Sequence, residues 1–146
     1  LEEGVAHATF LAMAGLTRLG MAGVARAAIE PEEMLPAVAQ GAIGVERRAS
    51  DVRVAGLLAA IHDRETGERL AAERGFLARL DGSCETPIAG LAVISDGEVW
   101  LRGELLRPDG SASVTGELRG AVADGAAIGQ ALADDLLGRA GPGFFG

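Results

Sequence analysis

Two turn signals divide the second half of the chain into three runs, and this pattern constrains the fold more than any other feature. Asp96-Gly97 follows the run PIAGLAVI, and Pro108-Asp109-Gly110 follows the run EVWLRGELL. Asp-Gly is typical of a two-residue β-hairpin, and Pro-Asp-Gly is typical of a turn between elements. The pattern therefore predicts a three-stranded antiparallel meander made of these two runs and SASVTGELR.

Alternation of apolar residues within the predicted strands indicates that one face of the sheet is buried. Val99, Leu101 and Leu105 alternate with Trp, Arg and Glu in the second strand, and Val114 and Leu118 alternate with polar residues in the third. A sheet with a single apolar face needs a covering layer, which helices can supply.

Helical spacing of apolar residues predicts one helix before the meander in the sequence and one helix after it. The first runs from near Asp63 to Leu80, with Gly82 as its C-terminal cap, and the second runs from about Gly125 to Arg139. Their apolar stripes are Leu70, Leu77 and Leu80, and Ile128, Leu132, Leu136 and Leu137. From Asp63 onward we therefore predict an α+β domain, a three-stranded antiparallel sheet covered by helices.

The first third of the chain is less regular. Residues 5–20 fit either one long alanine-rich helix or a strand over 5–11 followed by a short helix that ends at Gly20. After a loop with two prolines, a β-branched run predicts a strand over 42–47. Because these strands lack partners for a complete sheet, and the chain starts at Leu1 without an initiator methionine, we expect a fragment whose upstream part is missing.

A further helix is predicted just ahead of the Asp63 helix. Ser50 can cap it, and it extends from Asp51 to Ile61. Its apolar face, at helical spacing, consists of Val54, Leu57, Leu58 and Ile61.

Net charge and cysteine content narrow the classes of function. A net charge of −8 over 146 residues argues against a nucleic-acid partner, because phosphate contacts need clustered Lys and Arg. No apolar run reaches the about 20 residues needed to span a bilayer, so no membrane partner is expected. The single cysteine favours a reducing, cytoplasmic location.

Cys84, the only cysteine, lies in RLDGSCETPIAG between a predicted helix and a predicted strand. It can form neither an internal disulfide nor a metal site with a second cysteine. The end of the preceding helix disfavours a thiolate, and His7 and His62 are distant in sequence, so a protease-type nucleophile is not favoured. The residues alone leave two alternatives, a ligand-attachment site on a loop or a small, buried, inert thiol.

Four segments that follow one another along the chain carry a resemblance to a known family. They are AGLTRLG, LPAVAQGAIGVERR, AERGFLARLDGSCETPIAG and DGEVWLRGELLRPDG. Together they resemble the C-terminal part of the porphobilinogen deaminases, also called hydroxymethylbilane synthases, over essentially the whole chain. The most specific runs are Pro-Ala-x-x-Gln-Gly-Ala and Leu-x-Gly-x-Cys-x-x-Pro-Ile. Ala39 and Ser83 stand where the family commonly has glycine.

The resemblance implies pieces of three domains. Residues 1–40 would be the end of domain 2, residues 41–62 the segment that returns to domain 1, and residues 63–146 the C-terminal cofactor-attachment domain. The α+β domain would thus be preceded by partial α/β segments of the two other domains. The resemblance also favours the strand-then-helix alternative for residues 5–20.

The resemblance further implies a reaction. The family consists of transferases of haem and tetrapyrrole biosynthesis, which join porphobilinogen molecules head to tail into hydroxymethylbilane and release ammonia. The family's catalytic aspartate lies in domain 1, so we expect no catalytic residue in this chain and no activity of the fragment alone. The implied partners are porphobilinogen, the growing pyrrole chain and the missing N-terminal domains, in an enzyme that is a monomer when complete.

A dipyrromethane cofactor is implied, bound through a thioether to Cys84. Arg18 and Arg48 match family arginines that contact the acetate and propionate groups of the pyrroles, and the planar guanidinium suits bidentate carboxylate binding. Gln40 and Gly41 match a loop that faces the cofactor, where an amide can hydrogen-bond and glycine permits close approach. No metal is expected.

Other residues and other classes of function are also compatible with the sequence. The backbone amide of Ala12 could contribute to the same site, whereas Arg47 has no counterpart in the family pattern. A different class of function is a non-catalytic α+β ligand-binding or dimerisation module. A third is a structural domain whose cysteine is buried.

Overall fold

A computed structural model of the chain describes residues 1–81 and 86–145. Within it the chain forms two compact units, Leu1–Met34 and Leu35–Gly146. The elements, in chain order, are helix α1 (Met13–Arg18), a 3-10 turn (Ala22–Val24), helices α2 (Val52–Ala59) and α3 (Arg64–Arg79), strands β1 (Ile88–Ser95), β2 (Glu98–Leu106) and β3 (Ser113–Ala121), a 3-10 turn (Val122–Asp124), and helix α4 (Gly125–Ala140).

The unit Leu1–Met34 contains little regular structure. The predicted short helix is present as α1, but the predicted strand over residues 5–11 is absent, and so is the alternative long helix. A strand requires a hydrogen-bonded neighbour, and this unit offers none to residues 5–11. Leu16 is the one buried hydrophobic side chain among these residues, so the unit has almost no core of its own.

The predicted meander is confirmed in the unit Leu35–Gly146. Its strands pair antiparallel in the order β1-β2-β3. Ser95 lies opposite Glu98, which leaves Asp96 and Gly97 as a two-residue connection. Their φ values of 54° and 78° are the positive angles that a type I′ hairpin turn requires at both positions.

Strand β3 occupies residues 113–121, two residues later than the predicted 111–119. The backbone amide of Ser111 donates a 2.9 Å hydrogen bond to the Asp109 carboxylate. This local bond keeps Ser111 in the turn and delays the start of the strand.

The buried face of the sheet is the one that alternation predicted. Val99, Leu101 and Leu105 are at most 1% exposed, and all three belong to one hydrophobic core with residues of α3 and α4. In the third strand Val114 is half-buried and Leu118 is 37% exposed, because this strand forms the edge of the sheet.

The opposite face of the sheet is organised around Trp100. The guanidinium groups of Arg102 and Arg119 lie 4.5 Å and 4.2 Å from the centroid of the Trp100 ring, distances typical of cation–π contacts. The indole Nε1 donates a 3.1 Å hydrogen bond to Glu117. Side chains of β2 and β3 are thereby joined across the strands.

Helix α3 has the predicted bounds. The backbone amide of Thr66 donates a 2.8 Å hydrogen bond to the Asp63 carboxylate, which caps the helix. Hydrogen bonds from the side chain and backbone of Thr66 lower the pKa of that carboxyl group. At the other end Leu80 is the C-cap and Asp81 follows with φ of 51°, whereas the predicted cap Gly82 lies outside the described residues.

Helices α3 and α4 touch through their backbones. A Cβ atom added at Gly129 would overlap the carbonyl oxygen of Ala72, and one added at Gly75 would overlap the carbonyl oxygen of Ala126. The small residues of α3 therefore face the core together with Phe76, which is fully buried.

The predicted apolar stripe of α3 was only partly right. Leu80 is buried and Leu77 packs partly against the core, but Leu70 is half-buried and lies outside the core. The prediction considered only leucines and left out the small residues Ala72 and Gly75, which allow the closest contact between α3 and α4. The stripe of α4 is confirmed, with Leu132 and Leu136 buried.

Two predictions for the segment before α3 were wrong. The N-cap of α2 is Asp51, not Ser50, because the Asp51 carboxylate accepts a 2.9 Å hydrogen bond from the amide of Val54. Residues 42–47 form no strand, since no neighbouring strand pairs with them in the described parts of the chain. None of the residues of α2 is buried, and Leu57 on its predicted apolar face is 61% exposed.

No helix within residues 1–81 and 86–145 combines the length and apolar character needed to cross a membrane.

The close contact of α3 and α4 yields a stability prediction. Gly129→Ala should lower the free energy of unfolding by about 3 kcal/mol, because the added methyl group forces two helix backbones apart. The control is Gly138→Ala on the same helix, where an added Cβ meets nothing within 4 Å. That change should raise the free energy of unfolding by up to about 1 kcal/mol. Urea unfolding followed by circular dichroism measures both, and equal effects would contradict the packing described here.

Candidate functional site

Residues 36–38 lie along the outer edge of β1. The amide of Gly90 donates a 2.9 Å hydrogen bond to the carbonyl oxygen of Pro36, and Ala37 forms an isolated antiparallel bridge with Ala89. Val38 packs against the hydrophobic core. This segment therefore continues the sheet for a few residues and fixes the start of the turn that follows.

A buried carboxylate holds that turn in place. Glu73 of α3 is only 6% exposed. Its Oε1 accepts a 2.8 Å hydrogen bond from the amide of Ala92 in β1, and its Oε2 accepts a 2.7 Å hydrogen bond from the amide of Ala39. One side chain thus joins a helix, the edge of the sheet and the turn.

We call residues 38–41 the Gln40 turn. Ala39 has φ of 62° and Gly41 has φ of 81°, so left-handed residues lie on both sides of Gln40. The side chain of Gln40 is exposed. The turn therefore brings the predicted pair Gln40 and Gly41 together at the surface, in a conformation that costs Ala39 about 1–2 kcal/mol.

The two arginines that follow the turn differ in their surroundings. Nη1 of Arg47 donates hydrogen bonds of 2.9 Å and 3.0 Å to the carbonyl oxygens of Arg48 and Ala49. The Arg48 guanidinium is exposed, and among the described residues it has no hydrogen bond or ion pair. Arg47 is therefore occupied by its own backbone neighbourhood, and Arg48 is available to an anionic ligand.

Arg18 belongs to the unit Leu1–Met34 and is the last residue of α1. Its side chain is exposed and makes no hydrogen bond or ion pair with the described part of the chain. Ala12 precedes α1 as its N-cap, and its carbonyl oxygen accepts a 3.1 Å hydrogen bond from the amide of Leu16. Both residues are thus placed at the ends of one short helix.

Cys84 lies outside the described residues, as does Ser83. The elements that precede and follow the segment 82–85 are well packed, since Leu80 at the end of α3 and Ile88 at the start of β1 are both buried. The prediction that Cys84 anchors a cofactor is therefore not tested by the geometry.

A shallow depression of about 490 Å³ lies at the first half of α3 and contains none of the predicted site residues. Arg64 in its wall is paired with Glu68 at 2.7 Å, so the depression presents no unpaired arginine. Within the described ranges no group of three metal-binding side chains comes together. The Gln40 turn and the exposed arginines remain the better candidates.

Sequence reasoning missed Glu73. The residue lies in the stretch AERGF, within one of the segments that carry the family resemblance. The available signal was a glutamate between Ala72 and Phe76 on the core-facing side of α3, where a charged residue must find partners.

Fold and site together define a class: an α+β domain with a meander, two covering helices, and a surface turn that presents the Gln40 amide and is followed in sequence by the unengaged Arg48. Comparison with known sequences gives the particular family. Residues 1–56 match the family model described as "Porphobilinogen deaminase, dipyromethane cofactor binding domain", and residues 68–138 match "Porphobilinogen deaminase, C-terminal domain". The chain belongs to the porphobilinogen deaminase family.

A curated relative agrees with this assignment. The chain is 67% identical over 145 residues to the porphobilinogen deaminase of Paracoccus denitrificans (strain Pd 1222). The match covers 99% of this chain, whereas the chain spans 46% of the relative's length.

The two family matches divide the predicted site residues. Arg18, Gln40, Gly41 and Arg48 all fall within the match to the cofactor-binding domain, and Cys84 falls within the match to the C-terminal domain.

The strained residue of the Gln40 turn yields a second stability prediction. Ala39→Gly should raise the free energy of unfolding by about 1 kcal/mol, because glycine adopts positive φ without the steric cost of a Cβ. Ala37→Gly is the matched control, since Ala37 lies in the bridge to Ala89 and has no positive φ. It should lower the free energy of unfolding by up to about 1 kcal/mol. Chemical denaturation measures the free energy of unfolding of both variants. A loss of stability in Ala39→Gly would show that the turn has a different conformation.

Proposed function

We propose that this chain is the C-terminal part of a hydroxymethylbilane synthase and that Cys84 is the anchor of its dipyrromethane cofactor. The observation that carries the proposal is the 67% identity over 145 residues to a porphobilinogen deaminase. The match to the family's cofactor-binding domain supports the cofactor, and Cys84 is the single thiol available for a thioether.

The described residues fit the chemistry of such a cofactor. A dipyrromethane carries acetate and propionate groups, and its binding needs several cationic partners. Arg18 and Arg48 are exposed guanidinium groups that no described residue engages. Each can bind a carboxylate through two parallel N–H···O bonds. We assign both arginines to carboxylate recognition.

The Gln40 turn has a complementary role. The exposed amide of Gln40 can donate to a carboxylate or accept from a pyrrole N–H, and Gly41 lets the backbone approach a planar ring. Ala39 does not interfere, since its amide is turned to Glu73. We assign Gln40 and Gly41 to orienting the cofactor.

Cys84 would act once in the life of the protein. Its sulfur would bond to the aminomethyl carbon of a porphobilinogen unit as the C–N bond breaks, and the thiol proton would leave with the amine as ammonia. In the sequence Cys84 comes shortly after α3, and a position close to a helix C-terminus is not one that favours a thiolate. A slow, single reaction tolerates this. When bound, the cofactor supplies the pyrrole carbon to which new units are joined.

Exposed apolar residues support the proposal that other parts of the enzyme complete the first third of the chain. Phe10 in Leu1–Met34 is 76% exposed, and Ile43 ahead of α2 is 88% exposed. Such residues normally lie in a core or an interface. The domain bounds 1–40, 41–62 and 63–146 stay a prediction, and residues 36–38 pack against the C-terminal sheet.

The remaining assignments follow from the same proposal. The catalytic aspartate would lie in domain 1, outside this sequence, and porphobilinogen with the growing pyrrole chain would be the ligands. The single cysteine supports a cytoplasmic location. A monomeric complete enzyme stays a prediction.

The first functional prediction is that this chain alone does not convert porphobilinogen. The purified chain is incubated with porphobilinogen, and uroporphyrin is measured after oxidation. We expect none above a no-protein control, whereas the complete parent enzyme gives sustained production. Sustained turnover by the chain alone would place the catalytic group within these 146 residues.

The second functional prediction concerns the anchor. Cys84→Ser in the complete parent enzyme should abolish the mass increment of the bound dipyrrole, because an alcohol does not form the thioether, and it should abolish turnover. Ser83→Gly, one residue earlier, restores the family's usual residue and should keep both the increment and the activity. Intact-protein mass and the colour reaction with Ehrlich's reagent report the cofactor. A Cys84→Ser enzyme that keeps its primer and polymerises normally would refute the assignment.

A further inference from the structure

We infer that Glu73 is a positioning residue for the cofactor-facing turn of this enzyme, an inference that rests on the function proposed above. Glu73 does not face the ligand itself, since it is 6% exposed and both carboxylate oxygens accept backbone hydrogen bonds. Its role is to fix where Gln40 and Gly41 lie.

The geometry of the two bonds specifies a carboxylate. The donors are the amides of Ala39 and Ala92, at 2.7 Å and 2.8 Å, on two separate segments of the chain. An ionised carboxylate accepts at both oxygens, so it satisfies both donors at once. Charge-assisted bonds of this kind are about twice as strong as neutral ones.

Glutamine, aspartate and leucine at position 73 would not reproduce this arrangement. A glutamine at position 73 would accept with its oxygen but would direct its NH2 group toward a second N–H donor. An aspartate keeps two acceptors but is one methylene shorter, and a leucine leaves both donors buried and unpaired.

The placement of Glu73 relates the turn to the anchor. Glu73 lies on α3 and bonds to β1, and these are the elements that precede and follow Cys84 in the sequence. Its other oxygen holds Ala39, the residue directly before Gln40. The same carboxylate therefore holds the Gln40 turn against α3 and β1, the two elements between which Cys84 lies in the sequence.

The first test uses amide hydrogen exchange on the 146-residue chain. Glu73→Gln should accelerate exchange at Ala39 by at least about tenfold relative to the unmodified chain, since its acceptor is lost or weakened. Exchange at Leu101 in the centre of β2 should change far less. Glu68→Gln is the matched control on the same helix, because it removes an equivalent charge from an exposed pair with Arg64.

The second test uses the complete parent enzyme. Glu73→Gln should keep the primer mass on Cys84 but lose about 10- to 100-fold in kcat/KM for porphobilinogen, since a displaced turn orients its ligand poorly. Ile128→Ala, which removes packing between α4 and β3, supplies a variant destabilised in the same domain without a change at the turn. It should keep nearly full kcat/KM at a temperature where it is folded.

The outcomes separate the inference from the function on which it rests. Unchanged exchange at Ala39, or a kcat/KM in Glu73→Gln no lower than in Ile128→Ala, would overturn the positioning role and leave the proposed function intact. A primer retained in Cys84→Ser would refute the proposed function, while the exchange result at Ala39 would still stand. If Glu73→Gln does not fold, Glu73→Asp replaces it, with the same expected direction and a smaller effect.

Discussion

The direct contact between the backbones of α3 and α4 sets the position of nearly everything else in the C-terminal unit. At Gly75 and Gly129 no side chain separates the two helices, so they pack as one layer against the sheet. Phe76 then reaches the sheet at Gly103, which has no side chain to block it. A Cβ atom added at Gly103 would lie 2.6 Å from the Phe76 ring. With α3 held in this way, the next core-facing residue, Glu73, points to the edge of β1. The polar arrangement at that edge is thus a consequence of how closely two helices approach.

Local signals were sufficient for the C-terminal half of the fold. The Asp96-Gly97 turn, the alternation in β2 and the start of α3 near Asp63 depend on residues close in sequence, so their physical causes are visible in the sequence itself. Elements that depend on a distant partner were not predictable. The expected strand over 42–47 shows this, because its composition favours a strand but no described segment pairs with it. Ser50 was predicted to cap α2, but the hydrogen bond from the amide of Val54 shows that the adjacent Asp51 is the cap.

The sequence suggested candidate residues at the surface, but it did not reveal the buried side chain that supports the Gln40 turn. Arg18, Gln40, Gly41 and Arg48 could be named from the family resemblance, and the structure shows all four at the surface. The bond partners of Glu73 lie 34 and 19 residues away and are backbone amides, which leave no trace in the identity of the residues that carry them. Ala39 was recognised as a departure from the usual glycine, and its positive φ gives that departure a physical cost.

The arrangement around Trp100 has an optical consequence. The chain has one tryptophan and no tyrosine, so its near-ultraviolet emission comes almost entirely from a ring on the outer face of the sheet, stacked by arginines of β2 and β3. Fluorescence of this protein is therefore a local probe of the pairing between these two strands. Leu1–Met34 contains neither tryptophan nor tyrosine and contributes none of this emission, so a change in intensity reports on the surroundings of Trp100.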